Sequence, residues 1–325
     1  MPNRFYYLFA WVPAGVVALR WICGFTFLCG TGLLRLEATE PGNGYHHQVW
    51  TTDDGLPHNN VSRVVQDRVG YIWLATAGGL SRFDGRVFRD FPVPAAYRQS
   101  GLYIRGLVEN GPDSLLVLPT SGHVLQLRGS TWTVHPLSEA LARIDDIPGD
   151  LYVEPGGVVW VATYKGYVLR WEPSGAIRVF GQPGGLAPRT KKFTFAPDEA
   201  GNTWIASDNF LAVYRNGELE NPMLAPEGPI LIAPGTGGRI WLCTEDSLLR
   251  LDRGRLVTEC EQVPWEDEFA SIRHLTEDSQ GCLWISSSRR GLYCYEQGKI
   301  SPVATPYTAV WSVFEDREGD LRPGR

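Results

Sequence analysis

The sequence predicts an all-β fold, a β-propeller of about seven four-stranded blades in which the last blade is incomplete. The first observation is a repeat: one position recurs seven times, at intervals of 37 to 44 residues, and carries tryptophan at five of them. The second is a tight turn that precedes most of these positions. The third is composition, since 36 Gly, 23 Pro and 12 Trp among 325 residues are typical of a turn-rich β protein. A period near forty residues with four short strands per repeat indicates a propeller.

The clearest copy of the repeat lies between residues 60 and 85. A β-branched run from Val61 to Val65 predicts the first strand. Asp67–Gly70 predicts a turn, because an aspartate side chain accepts from nearby backbone N–H groups and glycine tolerates positive φ. Tyr71–Thr76 and Leu80–Phe83 then alternate as the second and third strands of one small sheet.

The later copies repeat this pattern with substitutions. The positions equivalent to the second-strand tryptophan are Trp73, Leu116, Trp160, Trp204, Trp241, Trp284 and Arg322. The turn acid recurs as Asn110, Glu154, Asp198, Asp278 and Asp316, and the turn glycine as Gly157, Gly201, Gly238, Gly281 and Gly319. We interpret the tryptophans as core residues between neighbouring blades, and the acids as turn caps rather than catalytic groups.

Residues 1–38 precede the propeller and predict an export signal or an uncleaved signal anchor. An apolar run from Phe5 to Leu19 is separated by Arg20 from a second run, Trp21–Leu34. A charge in the centre of a single long span is costly, so we assign Arg20 to a positive leader and Trp21–Leu34 to the apolar region of the signal. The propeller is therefore expected in the periplasm, exported or anchored to the inner membrane.

The propeller itself is predicted over residues 45–325. Tyr45–Thr52 resembles an outer strand without a blade of its own, which would complete the last blade and close the ring. Outer strands are predicted at Arg86–Phe91, Thr131–His135, Ala176–Phe180, Arg255–Cys260 and Lys299–Val303. Ser138–Ile144 lies in a loop region and is expected to form one or two helical turns.

The first and sixth copies resemble the two-component regulator propeller repeat. The first carries WTTDDGLP at 50–57, VVQD at 64–67, GYIWLAT at 70–76 and GLSRFDG at 79–85. The sixth carries LTED at 275–278, GCLWIS at 281–286 and GLY at 291–293. The resemblance extends over about residues 45–322 and is weak in the second copy, where Leu116 replaces the tryptophan.

The resemblance implies a non-catalytic, ligand-binding sensor domain of a bacterial signal-transduction protein. In full-length relatives such a domain is joined to a histidine kinase or another output domain, which this chain lacks. The seventh unit stops at Arg322–Arg325, where the pattern requires a tryptophan and further strands. We therefore interpret the chain as a truncated or frameshifted product of a longer sensor.

The candidate binding site is the mouth of the propeller axis, because inner strands direct side chains toward it. The inner strands offer Ser62 or Arg63, Arg105, Lys192, Arg273 or His274, and Trp311. From these we select Arg105, Lys192 and Arg273, together with His58 on the loop that crosses to the first blade. This basic, partly aromatic set suits an anionic small molecule or a saccharide-like ligand of unknown identity.

An enzyme is the alternative function. A sialidase-like hydrolase is disfavoured, because its repeats place glycine two residues after the turn acid, whereas Gly70 follows Asp67 by three. A streptogramin-lyase-like eliminase has a similar repeat rhythm. It would require a histidine and a glutamate on the axis with a metal, and His274 with Glu277 is the nearest match. Residues three apart on a strand face opposite sides, which weakens this alternative.

No metal, cofactor or nucleic acid is expected. His46 and His47 are adjacent in a predicted strand and point to opposite faces, and no Cys-x-x-Cys motif occurs. The formal net charge of −6 disfavours nucleic-acid binding. Cys282 and Cys294 lie on consecutive strands. An exported protein permits a disulfide between them, but cross-strand geometry is often strained, so two free thiols are favoured.

Overall fold

A computed structural model describes residues 4–9, 45–98, 103–180, 193–207, 210–220, 230–252, 254–265, 271–305 and 308–322. Within these residues the chain forms one two-stranded parallel sheet and six four-stranded antiparallel sheets. Each four-stranded sheet is built from four consecutive strands, and the first strands of the first three sheets contact one another in order, as do those of the last three. This arrangement is a β-propeller, which confirms the predicted fold class.

The parallel sheet and the first three blades occupy the N-terminal half of the chain. The parallel sheet consists of β1 (Arg4–Phe9) and β2 (Tyr45–Trp50). Blade 1 consists of β3 (Val61–Gln66), β4 (Ile72–Thr76), β5 (Gly79–Phe83) and β6 (Phe88–Phe91). Blade 2 consists of β7 (Ile104–Glu109), β8 (Ser114–Pro119), β9 (Leu125–Arg128) and β10 (Thr131–Val134). Blade 3 consists of β11 (Pro148–Val153), β12 (Val159–Thr163), β13 (Val168–Trp171) and β14 (Ile177–Phe180).

The other three blades follow the same plan. Blade 4 consists of β15 (Thr194–Pro197), β16 (Thr203–Ser207), β17 (Phe210–Arg215) and β18 (Glu218–Glu220). Blade 5 consists of β19 (Leu231–Pro234), β20 (Ile240–Cys243), β21 (Leu248–Asp252) and β22 (Arg255–Cys260). Blade 6 consists of β23 (Ile272–Glu277), β24 (Leu283–Ser287), β25 (Gly291–Glu296) and β26 (Lys299–Val303). One helix, α1 (Leu137–Ile144), occupies the predicted helical segment between blades 2 and 3.

Within the described residues the propeller has six four-stranded blades, not the predicted seven with the last one incomplete. The described part of the seventh unit contains only the segments on either side of the Asp316–Gly319 turn, so its pairing is reduced to one bridge between Glu315 and Leu321. This unit nevertheless fills a position in the ring. Leu321 packs in one cluster with Trp284 of blade 6. On the other side, Gln66 of blade 1 accepts the backbone N–H of Arg317 at 2.9 Å.

The N-terminal strands differ from the prediction. Tyr45–Trp50 pairs in parallel with Arg4–Phe9, not with the seventh unit, whose described residues provide no third strand for it. Trp50 instead packs against Phe83 of blade 1, with ring centroids 5.0 Å apart. The apolar run Trp21–Leu34 of the predicted export signal lies outside the described residues. No helix within the described part of the chain has the length and hydropathy needed to cross a membrane.

Each second strand is buried on both faces, which explains its continuous apolar sequence. In the five blades whose second strand carries the repeat tryptophan, this residue packs toward the next unit of the ring. Trp73, for example, shares a cluster with residues of blade 2, and Trp204 shares one with residues of blade 5. The predicted role of the repeat tryptophans is confirmed.

The turn acid binds both its own turn and this tryptophan. In blade 1, Oδ1 of Asp67 accepts the backbone N–H groups of Val69, Gly70 and Tyr71 at 2.9–3.0 Å. Its second oxygen, Oδ2, accepts the indole N–H of Trp73 at 2.7 Å. The same acid-to-indole bond, over six residues, occurs in blades 3, 4 and 6. The turn-capping role is therefore confirmed, and the indole bond explains why acid and tryptophan recur together.

Blade 5 has no turn acid, because Gly235 occupies that position. The indole N–H of Trp241 is bound instead by Oε2 of Glu277, which belongs to blade 6. A Cβ on Gly235 would lie 2.5 Å from this carboxylate oxygen. The absence of a side chain at Gly235 thus allows the neighbouring blade to supply the acceptor.

Cys282 and Cys294 form a disulfide, so the prediction of two free thiols is wrong. The register pairs Cys294 with Trp284, which places Cys282 on the adjacent diagonal of the same sheet face. The twist of antiparallel strands brings such diagonal side chains together. The Cα atoms are 6.1 Å apart, within the range of protein disulfides.

Candidate functional site

The inner strands of four blades carry a β-bulge at the same height. The register shifts at Ser62, Arg105, Gly149 and Arg273 in blades 1, 2, 3 and 6. A bulge leaves one residue out of the ladder and changes the direction of neighbouring side chains. We call the bulged residues the upper tier and the residues that directly follow them the lower tier. The upper tier is Ser62, Arg105, Gly149 and Arg273, and the lower tier is Arg63, Gly106, Asp150 and His274.

Blade 2 contributes Arg105 to the upper tier. Its guanidinium carbon lies 4.8 Å from the ring centroid of Tyr164, which extends from blade 3. A Cβ on Gly149 would lie 3.0 Å from this ring, so the glycine makes room for the tyrosine. The Nη1 atom of Arg105 is buried and has no hydrogen-bond partner among the described residues.

Blade 6 contributes Arg273 to the same tier. Its guanidinium carbon lies 4.6 Å from the ring centroid of Trp311 in the seventh unit, and its Nε donates to Oγ of Ser288 at 3.0 Å. Burial lowers the pKa of Arg273 below its ordinary value, and the nearby charge of Arg289 acts in the same direction, while Tyr103 raises it. Tyr103 belongs to the segment that leads into β7 of blade 2, so blades 2 and 6 face the same opening.

The lower tier contains an ion pair and a histidine whose pKa is shifted by burial. Arg63 of blade 1 reaches Asp150 of blade 3, with 3.7 Å between Nη2 and Oδ2. Burial raises the pKa of Asp150 despite the opposing charge of Arg63. On the other side, burial and Arg63 together lower the pKa of His274 to about 4, so this histidine is neutral at pH 7.

The sequence offered Ser62 or Arg63, and Arg273 or His274, as alternatives. The bulges place the members of each pair in different tiers. Ser62 is buried, and its hydroxyl donates to the carbonyl of Ile104 in blade 2 at 2.6 Å. Asp150 was missed by the sequence reasoning. Alignment of the repeats would have revealed it. Asp150 directly follows the bulge of blade 3, and Arg63 directly follows the equivalent bulge of blade 1.

Two of the three predicted site residues that the structure describes, Arg105 and Arg273, occupy equivalent bulge positions in the inner strands of blades 2 and 6. His58 lies in the crossing loop, where its Nδ1 accepts the backbone N–H of Asn60 at 2.9 Å. No described contact joins His58 to either arginine. Lys192 lies outside the described residues.

The upper tier is electropositive and flanked by aromatic rings. Neither Arg105 nor Arg273 forms an ion pair with a carboxylate in the described ranges. The described residues also contain no cluster of three or more groups suited to a metal ion. Arginine stacked on an aromatic ring keeps its N–H edge available for planar anions. The arrangement is suited to holding an anionic group.

The histidine and glutamate that a lyase would require do not meet. Glu277 points to blade 5, where it binds the indole of Trp241 and accepts the hydroxyl of Thr236 at 2.5 Å. His274 faces the axis and the seventh unit, next to Val313. Glu277 thus contributes to blade packing and does not form an axial pair with His274.

Comparison with known proteins identifies the repeats. Residues 55–78 and 269–289 match the family described as "Two component regulator propeller". These segments contain the first two strands of blades 1 and 6, the copies in which the sequence resemblance is strongest. No curated protein shows significant sequence similarity to the chain.

Solved structures of similar fold include two extracellular domains from B. thetaiotaomicron. That of the putative hybrid two component system BT3049 is 16% identical with a TM-score of 0.64, covering 85% of this chain and 40% of that one. That of the putative one component system BT4673 is 18% identical with a TM-score of 0.64, covering 82% and 37%. The chain thus spans about two fifths of the length of these domains.

A streptogramin B lyase is similar in fold as well. It is 16% identical with a TM-score of 0.65, covering 83% of this chain and 91% of that one. At such identities the similarity of all three structures establishes the fold alone. The repeat motifs are more specific than the fold. Two segments of the chain, one in blade 1 and one in blade 6, match the two-component regulator propeller repeat.

Proposed function

We propose that this chain is a non-catalytic sensor propeller of a bacterial two-component signal-transduction protein. The repeat family supports this function, and so does the similarity in fold to the extracellular domains of BT3049 and BT4673. The partner is a histidine kinase or another output domain outside this chain. A change in the propeller on ligand binding would be transmitted to that domain.

The location that we propose is the periplasm. The apolar run Trp21–Leu34 is suited to export, and the Cys282–Cys294 disulfide favours an oxidising compartment. A reporter that is active only after export, fused after Gly85, should be active in bacteria. Activity restricted to a cytoplasmic reporter at the same position would contradict this location.

The observation that carries the ligand-binding proposal is the pair of stacked arginines on the axis. Arg105 and Arg273 are half-buried and lack carboxylate partners among the described residues. Burial of a charge without compensation is unfavourable, so a bound anion would stabilise both groups. His58 and Lys192 remain proposed contributors at the rim. The ligand is an anionic or saccharide-like small molecule.

The test compares a charged with an uncharged saccharide of equal length. Trigalacturonate should raise the melting temperature of the purified protein, and galactotriose should raise it less, because ligand binding stabilises the folded state. NMR should recover the trigalacturonate unchanged. Conversion of the sugar would contradict the non-catalytic function, and the absence of stabilisation by both sugars would contradict the axial saccharide site.

Two variants connect the binding to the axis. Arg105→Met and Arg273→Met should each reduce the stabilisation by trigalacturonate. Arg143→Met is the matched control, because the Arg143 side chain is 79% exposed on α1 and lies outside the tiers. If the control reduces the stabilisation as strongly as the axial variants, the ligand is bound by general surface charge.

A further inference from the structure

The two arginine–aromatic pairs of the upper tier belong to blades that are not neighbours. Arg105 stacks on Tyr164 at the border of blades 2 and 3, and Arg273 stacks on Trp311 at the border of blade 6 and the seventh unit. Blade 1 and the seventh unit lie between blades 2 and 6 on the shorter path around the ring. Each pair is thus a separate half-site on one opening.

We propose that the axial mouth recognises a ligand with two separated oxyanion groups, one bound by Arg105 and the other by Arg273. This proposal rests on the proposed sensor function and specifies the chemical class of its ligand. A carboxylate, a sulfonate or a phosphoryl group provides the shared chemistry, which is a planar or tetrahedral set of acceptor oxygens.

The blade 2 half-site contains several buried donors. Nη1 of Arg105 is buried without a partner among the described residues, and the same is true of the hydroxyl oxygens of Thr120 and Ser121. The backbone N–H of Thr120 donates to the carbonyl of Tyr103 at 3.0 Å. This bond places the Thr120–Ser121 turn at the end of the blade from which β7 runs to Arg105. An oxyanion there would satisfy donors that the described residues leave unbound.

The blade 6 half-site is held in a fixed orientation. Ser288 accepts from Nε of Arg273 and donates its own hydroxyl to the carbonyl of Ser271 at 3.2 Å. The ring of Trp311 covers one face of the guanidinium. The two contacts determine the plane of Arg273 and leave its Nη edge for two parallel bonds to an anion.

The charges on the axis favour two anions over one. The upper tier holds Arg105 and Arg273, with Arg289 nearby. Asp150, the acid of the lower tier, pairs with Arg63. A monoanion would compensate one half-site and leave the other half-buried guanidinium uncompensated. A dianion of matching length compensates both, and its second contact is intramolecular.

The experiment titrates the protein with dicarboxylates of increasing length, from succinate to pimelate, at constant ionic strength. The dicarboxylate of matching length should bind at least about tenfold more tightly than butyrate. Once its first carboxylate is bound, the second is held at a high effective concentration near the other arginine. Ethanedisulfonate, compared with succinate, distinguishes sulfonate from carboxylate recognition. Equal binding of butyrate and every dicarboxylate, or no binding of any dicarboxylate, would overturn the proposal.

The variants separate this proposal from the sensor function. Arg105→Met and Arg273→Met should each reduce dicarboxylate affinity to the level of butyrate, and the double variant, which keeps neither half-site, should lose binding altogether. Arg105→Lys and Arg273→Lys keep the charge and should give intermediate affinity, and Arg143→Met should bind like the wild type. If trigalacturonate binds but dicarboxylate affinity does not depend on the arginines, the sensor function stands and the two-anion site is wrong.

Discussion

Arg322 donates to Oδ2 of Asp316, the same carboxylate oxygen and the same six-residue separation that tryptophan uses in blades 1, 4 and 6. Oδ1 of Asp316 accepts the backbone N–H groups of Glu318 and Asp320, as in a complete repeat. The seventh unit therefore keeps the turn of the repeat and replaces its indole by a guanidinium.

This relationship predicts different effects for two substitutions at Arg322. Arg322→Ala should destabilise the protein by about 3 kcal/mol, because it leaves the buried Asp316 carboxylate without its cation. Arg322→Trp should cost less, since its indole N–H restores the donor of the other blades. Urea denaturation measures both. Arg322→Phe, which adds bulk without a donor, is the control, and equal losses for Trp and Phe would contradict the argument.

Blade 5 depends on blade 6 for the acceptor of its tryptophan. Glu277→Ala should destabilise the protein by roughly 1–3 kcal/mol, because the buried indole N–H of Trp241 loses its acceptor. Adding Gly235→Asp should not recover this loss, because its Cβ would lie 2.6 Å from Cγ of Arg239 and 2.8 Å from the indole nitrogen of Trp241. Gly235→Asp alone should also destabilise, because its Cβ would in addition lie 2.5 Å from the Glu277 carboxylate. Thermal unfolding of the three variants gives the comparison.

Acid should destabilise the propeller through buried His135. Burial lowers the pKa of His135 from 6.5 to about 4, and its ring packs edge-on against Trp171, 4.7 Å away. Because the folded-state pKa is depressed, the unfolded chain binds more protons between pH 6.5 and 4. The contribution of neutral His135 to the free energy of unfolding is therefore fully present above pH 6.5. It falls by roughly 2–3 kcal/mol as the pH decreases from 6.5 to 4. His274, with the same direction of shift, adds to the loss.

The variant His135→Phe tests this pH dependence. Its free energy of unfolding should decrease less than that of the wild type between pH 7.5 and pH 4, because phenylalanine does not titrate. The measurement at pH 7.5 is the control for packing, since His135 is neutral there in the folded and unfolded chains. An unchanged pH slope in the variant would show that His135 is not the source.

Reduction should destabilise blade 6. The Cys282–Cys294 disulfide closes a loop of 12 residues, and loss of such a constraint costs about 3 kcal/mol. Dithiothreitol should lower the unfolding midpoint of the wild type and leave that of Cys282→Ala/Cys294→Ala unchanged. Cys260→Ser, which removes a free thiol, should respond to reduction like the wild type. Alkylation of both Cys282 and Cys294 in the untreated protein would contradict the disulfide.

The sequence was sufficient to predict the propeller and the packing of its tryptophans. Trp73 and Trp284 each follow their turn acid by six residues. The acid–indole hydrogen bond requires this spacing, so the spacing can be recognised in the sequence. The number of blades was overestimated. Arg322 preserves the repeat spacing of the seventh unit, but the described residues of this unit form only one β-bridge.

The site was predicted less completely, for a geometric reason. Strand periodicity assigns Arg63 and Ser62 to opposite faces, but a bulge changes the direction of one of them, and no residue type at these positions signals the bulge. Asp150 escaped notice because its partner, Arg63, lies two blades away. The Cys282–Cys294 disulfide depends on the twist of the two strands, and this twist cannot be deduced from the order of the residues.

The bond between Trp241 and Glu277 also sets an order of assembly. During synthesis, the indole of Trp73 meets its acceptor, Asp67, as soon as its own turn has left the ribosome. The indole of Trp241 must wait for an acceptor 36 residues further along the nascent chain. Blade 5 is therefore completed only together with blade 6, so these two blades should form a single cooperative unit that closes late in folding.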